Sequence, residues 1–485
     1  MLKPAGAGGE AAEAAIADMP SSSRWALASL SLSMLLSSLG TSIASVGLPT
    51  FALVFDTSFQ SVQWVVLAYL LAVTTLIVSV GRLGDMMGRR RLLLVGIVLF
   101  TLASVLCGVA PTLWFLVAAR AMQGLGGAIM LALTLALVGE TVPKSRTGSA
   151  MGLLGTMSAI GTGLGPSIGG IMIAAVNWRG MFLVNLPLGL LAFVLAWRSL
   201  PVDAVRPGKD RESFDIKGTV LLSLTLGAYA LAMTTGRGSF GLLNTALLLA
   251  AALGIGVFLL VEKGAASPLI RLTMFHDPML SASLAMSVLV STVMMATLVV
   301  GPFYLTGALG LDAALVGFVL SVGPVVVAFT GVPAGRLADR LGAHRVTVIG
   351  LVGVAVGAFL LATIPPSRGM PGYIAATIVI TFGYALFQTA NNTAVMTDVP
   401  ADRRGLVSGM ISLSRNLGLI TGASLMGAVF ILASAAADIK TASPEAVAFG
   451  MRVTFLVGCA LMLVALGVAF ASRALAKRAS RRGGS

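Results

Sequence analysis

Fourteen apolar stretches, each long enough to cross a bilayer, follow one another along 485 residues, and that succession restricts the chain more than any single motif in it. A spanning helix needs about 20 predominantly apolar residues for a hydrocarbon core of about 30 Å. The stretches lie near residues 24–53, 61–80, 92–109, 112–139, 148–172, 180–197, 218–235, 242–261, 279–307, 313–333, 346–363, 371–396, 405–432 and 450–471. None alternates apolar and polar residues as barrel strands do, and a span must satisfy its own backbone polar groups, so the expected class is an all-α polytopic membrane protein. A mean hydropathy of +0.98 agrees. Residues 1–20 are polar and Ala-rich and read as a cytosolic lead, not a cleavable signal. Cys107 and Cys459 both fall inside apolar runs, and His276 and His344 stand alone near span ends. That scarcity of ligands and nucleophiles predicts no metal, no cofactor and no enzyme.

Orientation follows from the basic residues, which are retained in cytoplasmic segments. With the N-terminus inside, only Arg179, Arg237, Arg368, Lys440 and Arg452 of the 32 lysines and arginines fall outside, and Arg120 and Arg415 lie within spans. Both termini are therefore expected in the cytosol, with the chain in the cell (cytoplasmic or inner) membrane. The same asymmetry, with anionic lipid as the partner, accounts for the net charge of +14, so no nucleic-acid binding is expected.

The chain also repeats itself. "GRLGDMMGRRR" at 81–91 returns as "GRLADRLGAHR" at 335–345, and "VPKSRTGSAMG" at 142–152 as "VPADRRGLVSGM" at 399–410. Gly148 matches Gly405 and Gly152 matches Gly409, so the chain reads as two six-helix halves separated by the seventh and eighth spans. Both copies of the first phrase are expected in loops. The expected organisation is a tail at 1–23, a bundle at 24–199, a linker with two spans at 200–278, a second bundle at 279–472 and a basic tail at 473–485. Parallel repeats of this kind surround a central site that the two bundles expose alternately to each side.

Several phrases, in order, resemble those of the major facilitator superfamily, and more narrowly of its 14-helix drug:proton antiporters. "GRLGDMMGRRR" is similar to the family's loop signature at Gly81, Asp85, Gly88, Arg89 and Arg90. "RAMQGLGGA" at 120–128 resembles Arg-x-x-Gln-Gly, "GTGLGPSIGG" at 161–170 resembles the antiporter signature, and "NWRGMFLVNLPLG" at 177–189 resembles the junction into the sixth span. The resemblance implies the major facilitator fold, two six-helix bundles plus two extra helices. It also implies a conformational latch at Gly81, Asp85, Gly88 and Arg89, and a proton-coupling network at Arg120 and Gln123. An interdomain hinge at Gly161, Gly165, Pro166, Gly169 and Gly170 is implied as well. Physical chemistry is consistent with these roles. Asp85 can accept hydrogen bonds from a helix N-terminus, glycines at spacing four present a smooth face, and Pro166 removes a backbone donor.

One departure concerns charge. The 14-helix exporters usually carry an acidic residue in the first helix, where "LGTSIASVGLP" at 39–49 has Gly40, with Ser45 where Asn is usual. No carboxylate sits securely at mid-membrane, whereas Arg120 and Arg415 do, and intramembrane charge points to function. With the polar patch "QTANN", the candidate substrate cavity comprises Trp64, Tyr69, Phe387, Gln388, Asn391, Asn392 and Arg415. Arginine and amides without carboxylate would favour neutral or anionic amphiphiles, although aromatic faces can also hold cations. The function implied is a secondary active exporter of small amphipathic compounds in exchange for protons, working as a monomer. The alternative is a non-efflux facilitator, an importer or a lipid-translocating member.

Overall fold

The computed structural model describes residues 21–142, 147–203, 216–234, 241–264, 277–397, 404–434 and 442–482. Residues 1–20 of the expected tail at 1–23, His276 and parts of the linker at 204–215, 235–240 and 265–276 lie outside these residues, and residues 21–23 of that tail already belong to the first helix. Among the described residues there are fourteen helices long and apolar enough to cross a membrane and no strand, as the hydropathy pattern predicts. They are built on α1 (Ser21–Val46), α2 (Phe59–Met87), α3 (Arg89–Gly108), α4 (Leu113–Thr141), α5 (Thr147–Ala175), α6 (Asn185–Ser199, which spans together with the preceding helical turn Gly180–Leu183), α7 (Ile216–Thr234), α8 (Leu242–Gly264), α9 (Pro278–Val299), α10 (Ala313–Leu341), α11 (Ala343–Thr363), α12 (Gly369–Thr397), α13 (Arg404–Thr421) and α14 (Pro444–Arg482). Helix α13 continues through a π turn at Gly422–Met426 into Gly427–Ser434.

Both copies of the repeated phrase differ from the expected loops. Helix α2 runs to Met87 and α10 to Leu341, so Gly81 to Met87 and Gly335 to Leu341 are helical. The whole connection to the next helix is a single glycine, Gly88 (φ 92, ψ 130) or Gly342 (φ 85, ψ 140). That left-handed region is open to glycine at no steric cost, which lets one helix stop and the next restart within one residue. The two halves also share a break at the opposite face. Helix α1 gives way at Gly47 to a short helix, Leu48–Val54, and α9 gives way at Val300 to Gly301–Gly307. Pro49 and Pro302 stand at the first turns of these short helices, where a missing N–H costs nothing. Helix α14 extends the expected last span to Arg482, so most of the segment read as a tail is helical.

An even number of crossings puts both ends of the described chain on one face, called here the termini face. Exposed Trp25 near the start of α1 and exposed Trp197 near the end of α6 mark its interface level, and exposed Trp114 at the start of α4 marks the opposite one. The hydrophobic core is divided unequally between the two depths. Away from the termini face, one continuous cluster joins Phe51, Phe59, Trp178 and Phe182 of the first bundle to Phe303, Tyr304 and Phe430 of the second. Toward the termini face the clusters separate. Leu27, Met34, Leu92 and Leu133 belong to one confined to the first bundle, whereas Leu280, Leu284, Val407 and Met410 form another in the second.

Candidate functional site

Arg120 of α4 is fully buried in the first bundle, with its guanidinium spread over three helices. Its Nε donates to Val65 O of α2 at 2.9 Å and its Nη2 to Gly40 O of α1 at 2.9 Å. Nη1 donates to Gln123 Oε1, whose Nε2 in turn donates to Ser104 Oγ at 2.7 Å. The Tyr69 ring lies beneath the charge, 4.4 Å from centroid to Cζ. No carboxylate takes part among the described residues, so carbonyl dipoles and an aromatic face carry a charge that costs several kcal/mol to desolvate.

This arrangement explains Gly40. A Cβ there would lie 2.9 Å from Phe100 Cε2 and 3.1 Å from the Tyr69 hydroxyl. The space that an acidic side chain would use is filled, and Arg120 takes the backbone oxygen instead. Tyr69 is therefore not a cavity residue. It is fully buried and donates its hydroxyl to Ser37 O at 2.8 Å. Trp64 also lies elsewhere, because its indole N–H donates to Thr234 Oγ1 of α7 at 3.0 Å.

The glycines of α5 divide between two partners. A Cβ at Gly161 would meet Leu35 O and Ser38 of α1, one at Gly165 would meet Ser42 Oγ and Ile43 N, and one at Gly169 would meet Ile43 O and Val46. The row at spacing four thus packs α5 on α1 of its own bundle, which corrects its reading as an interdomain face. Pro166 and Gly170 do face the other bundle. The Pro166 carbonyl closes on Gly317 of α10, and a Cβ at Gly170 would meet Ala313 O and lie 3.2 Å from Ala314 Cα. Beside them Ser167 Oγ donates to Ser321 Oγ at 2.7 Å and Ser167 N to the same oxygen at 3.1 Å. Gln63 Nε2 donates to Ala423 O, in the π turn of α13, at 2.8 Å, and the Phe59 and Phe303 rings stand 4.6 Å apart. All these bridges lie in the half remote from the termini face.

The expected latch is only partly described. Gly81 and Asp85 lie in the last turns of α2, and the side chain of Asp85 is outside the described residues. Arg89 opens α3 directly after Gly88. The carboxylate seen on the α3 N-terminus belongs to Asp203, beyond the end of α6. Its Oδ1 accepts from Arg90 N at 2.9 Å and its Oδ2 from Arg91 N at 3.0 Å. Gly88 carries no side chain that could cap, and a Cβ there would collide with this carboxylate, so the glycine serves close approach as well as φ. Arg90 Nη2 also donates to Trp197 O.

In the termini-side half of the second bundle, α9, α12 and α13 line an open-mouthed cavity of about 140 Å³. Five residues expected from the sequence line it: Phe387, Gln388, Asn391, Asn392 and Arg415. Asn391 is held by α9, accepting from Ser283 Oγ at 2.8 Å and donating to Ser287 Oγ at 3.1 Å. Sequence reasoning missed Ser287, Ser291, Tyr384 and Ser412 of the lining. A signal existed, since Ser283, Ser287 and Ser291 recur every fourth residue of α9 and draw one polar stripe along an apolar helix.

Two parallel bundles, two extra helices between them in the chain and a cavity on the termini side of the closure between their remote halves describe a transporter scaffold. The description "Major Facilitator Superfamily" matches residues 30–423. The chain belongs to this superfamily. It is 33% identical over 385 residues, covering 79% of this chain and 84% of the relative, to a protein of Escherichia coli (strain K12) named an uncharacterized transporter, YebQ. It is 31% identical over 390 residues to the multidrug resistance protein Stp of Mycobacterium tuberculosis, covering 80% of this chain and 72% of that one. Among solved structures, a bacterial homolog of the human lysosomal transporter Spinster superposes with a TM-score of 0.67 at 15% identity, over 94% of this chain and 97% of that one, a likeness of fold.

Proposed function

We propose that this superfamily member is a secondary active exporter that moves small amphipathic compounds out of the cell by alternating access, in exchange for protons. The termini face would then be the cytosolic face of the cell membrane. The observation that carries this reading is the division of the core by depth. One apolar cluster runs across both bundles in the outer half, and separate clusters serve each bundle near the termini face, where the cavity lies. With the termini face cytosolic, such a molecule would be shut outside and open to loading from inside, an arrangement an exporter passes through. The kinship to a protein named for multidrug resistance supports the same direction.

Arg120 cannot be the group that gains and loses the proton, because a guanidinium stays charged. With Gln123 it would position α1, α2 and α4 relative to one another. The proton would be carried by the substrate or by a carboxylate near a span end, of which Glu262, two residues from the end of α8, is 2% exposed. The test uses inside-out membrane vesicles with an acid lumen and a panel of fluorescent amphiphiles. Accumulation that collapses with the proton gradient is expected, and uptake indifferent to the gradient would remove proton exchange from the reading.

A further inference from the structure

Three of the strongly polar groups inside the described part of the molecule have clear partners. Arg120 is held by two carbonyls and Gln123, Asn391 by two serines, and Asp203 by two backbone N–H groups. Arg415 is different. It stands eleven residues beyond Arg404, about 16 Å along α13, and so within the hydrocarbon depth. Its side chain is exposed to the cavity between α9, α12 and α13, and among the described residues it has no hydrogen-bond or ion-pair partner.

The rest of the lining completes a pattern. Gln388, Asn392, Ser291, Ser412 and the Tyr384 hydroxyl offer donors, Phe387 contributes apolar lining, and among the described residues no Asp or Glu lines the cavity. A guanidinium presents N–H groups in a planar fork that matches a carboxylate bidentately, and such bonds are shorter and stronger than neutral ones. A charge at this depth is costly unless it is paired or wet. An anionic group arriving from the termini face would supply the missing counter-charge, while a cation would add a second positive charge to an unpaired one.

We infer that this cavity is a recognition site for an organic monoanion, a carboxylate or an equivalent planar oxyanion attached to an aromatic or apolar body, with Arg415 as the residue that receives the anionic group. Phe387 packs against the apolar body, and Gln388 and Asn392 bond the remaining polar atoms. The inference rests on the reading of this cavity as the place where the transported compound binds. It has a consequence for energetics. An anion leaving a cell whose interior is negative moves down the membrane potential, which contributes about 2.3 kcal/mol per 100 mV for each charge. The potential then favours export of such a substrate without any carboxylate in the cavity.

Three dansyl compounds of matched size separate the possibilities: dansylglycine as the monoanion, dansylamide as the neutral form and a dansyl trimethylammonium derivative as the cation. Binding to the purified full chain in detergent is followed by fluorescence anisotropy, for the wild type and for Arg415→Gln and Arg415→Lys. Dansylglycine is expected to bind at least tenfold more tightly than the other two. Arg415→Gln should abolish that preference, and Arg415→Lys should restore part of it by keeping the charge without the fork. Because the side chain projects into open space, both variants are expected to elute as wild type in size exclusion. Equal binding of the three compounds, no binding of any, or a preference untouched by Arg415→Gln would overturn the inference. Transport in proteoliposomes with an imposed potential is the separate arm. Selective anion binding without transport would sink the exporter reading while upholding the site.

Discussion

Replacing Arg120 by lysine keeps the charge and removes the fork, and so separates a residue that ties helices together from one that acts only through its charge. In the native molecule Nε, Nη1 and Nη2 each serve a different acceptor: Val65 O on α2, Gln123 Oε1 on α4 and Gly40 O on α1. An ammonium has its three donors on one atom at the end of a shorter reach and cannot span acceptors set around a planar group. Hydrogen bonds to charged groups contribute about 1.5–3 kcal/mol each, so the loss of one or two predicts a destabilisation of about 2–6 kcal/mol. The Tyr69 ring, 4.4 Å from Cζ, would retain part of its attraction for the cation and keeps the expected value toward the lower end. The assay is the temperature at which detergent-solubilised protein loses its monodisperse size-exclusion peak, read for wild type, Arg120→Lys and a cavity variant, Gln388→Ala. A marked fall is expected for Arg120→Lys and almost none for Gln388→Ala, whose side chain has no partner among the described residues. Wild-type thermal stability in Arg120→Lys would refute the argument that three divergent hydrogen bonds, not charge, are the contribution of this residue.

The two faces of α5 should respond differently to bulk. Gly165→Leu drives a side chain into Ser42 and Ile43 of its own bundle and should lower the yield of folded protein, whereas Gly170→Leu meets Ala313 and Ala314 of the other bundle and should leave folding intact while propping open the closure remote from the termini face. Labelling of a cysteine introduced at Ser321 by a membrane-impermeant maleimide should then be several-fold faster in the Gly170→Leu background, and unchanged labelling would count against the closure. Asp203→Ala removes the cap of α3 and should cost about 1–2 kcal/mol, since both the acceptor and the favourable charge at the helix N-terminus are lost. Asp203→Asn should recover part of that loss in the same thermal assay; no difference between wild type and Asp203→Ala would show that the cap contributes nothing.

Hydropathy and repetition determined the number of crossings, the helical class and the pairing of the halves, because a bilayer admits few solutions and each helix satisfies its own backbone locally. The amide patch and Arg415 were legible for a related reason: polar groups are expensive in an apolar span, so their mere presence points inward. What the sequence left open depended on rotation and on distance along the chain. Spacing four in Gly161, Gly165 and Gly169 announces a close neighbour but not which one, and only the packed bundle shows α1 on that face and α10 against Pro166 and Gly170. Tyr69 and Trp64 have the composition of cavity residues, yet the tertiary structure gives one to Arg120 and the other to α7. Asp203 caps a helix that begins 114 positions earlier, a contact that no local pattern encodes. Gly40 is the sharpest case: the sequence registers a missing carboxylate, and the structure supplies the reason, a site already filled by Phe100 and Tyr69 whose backbone oxygen serves Arg120 in its place.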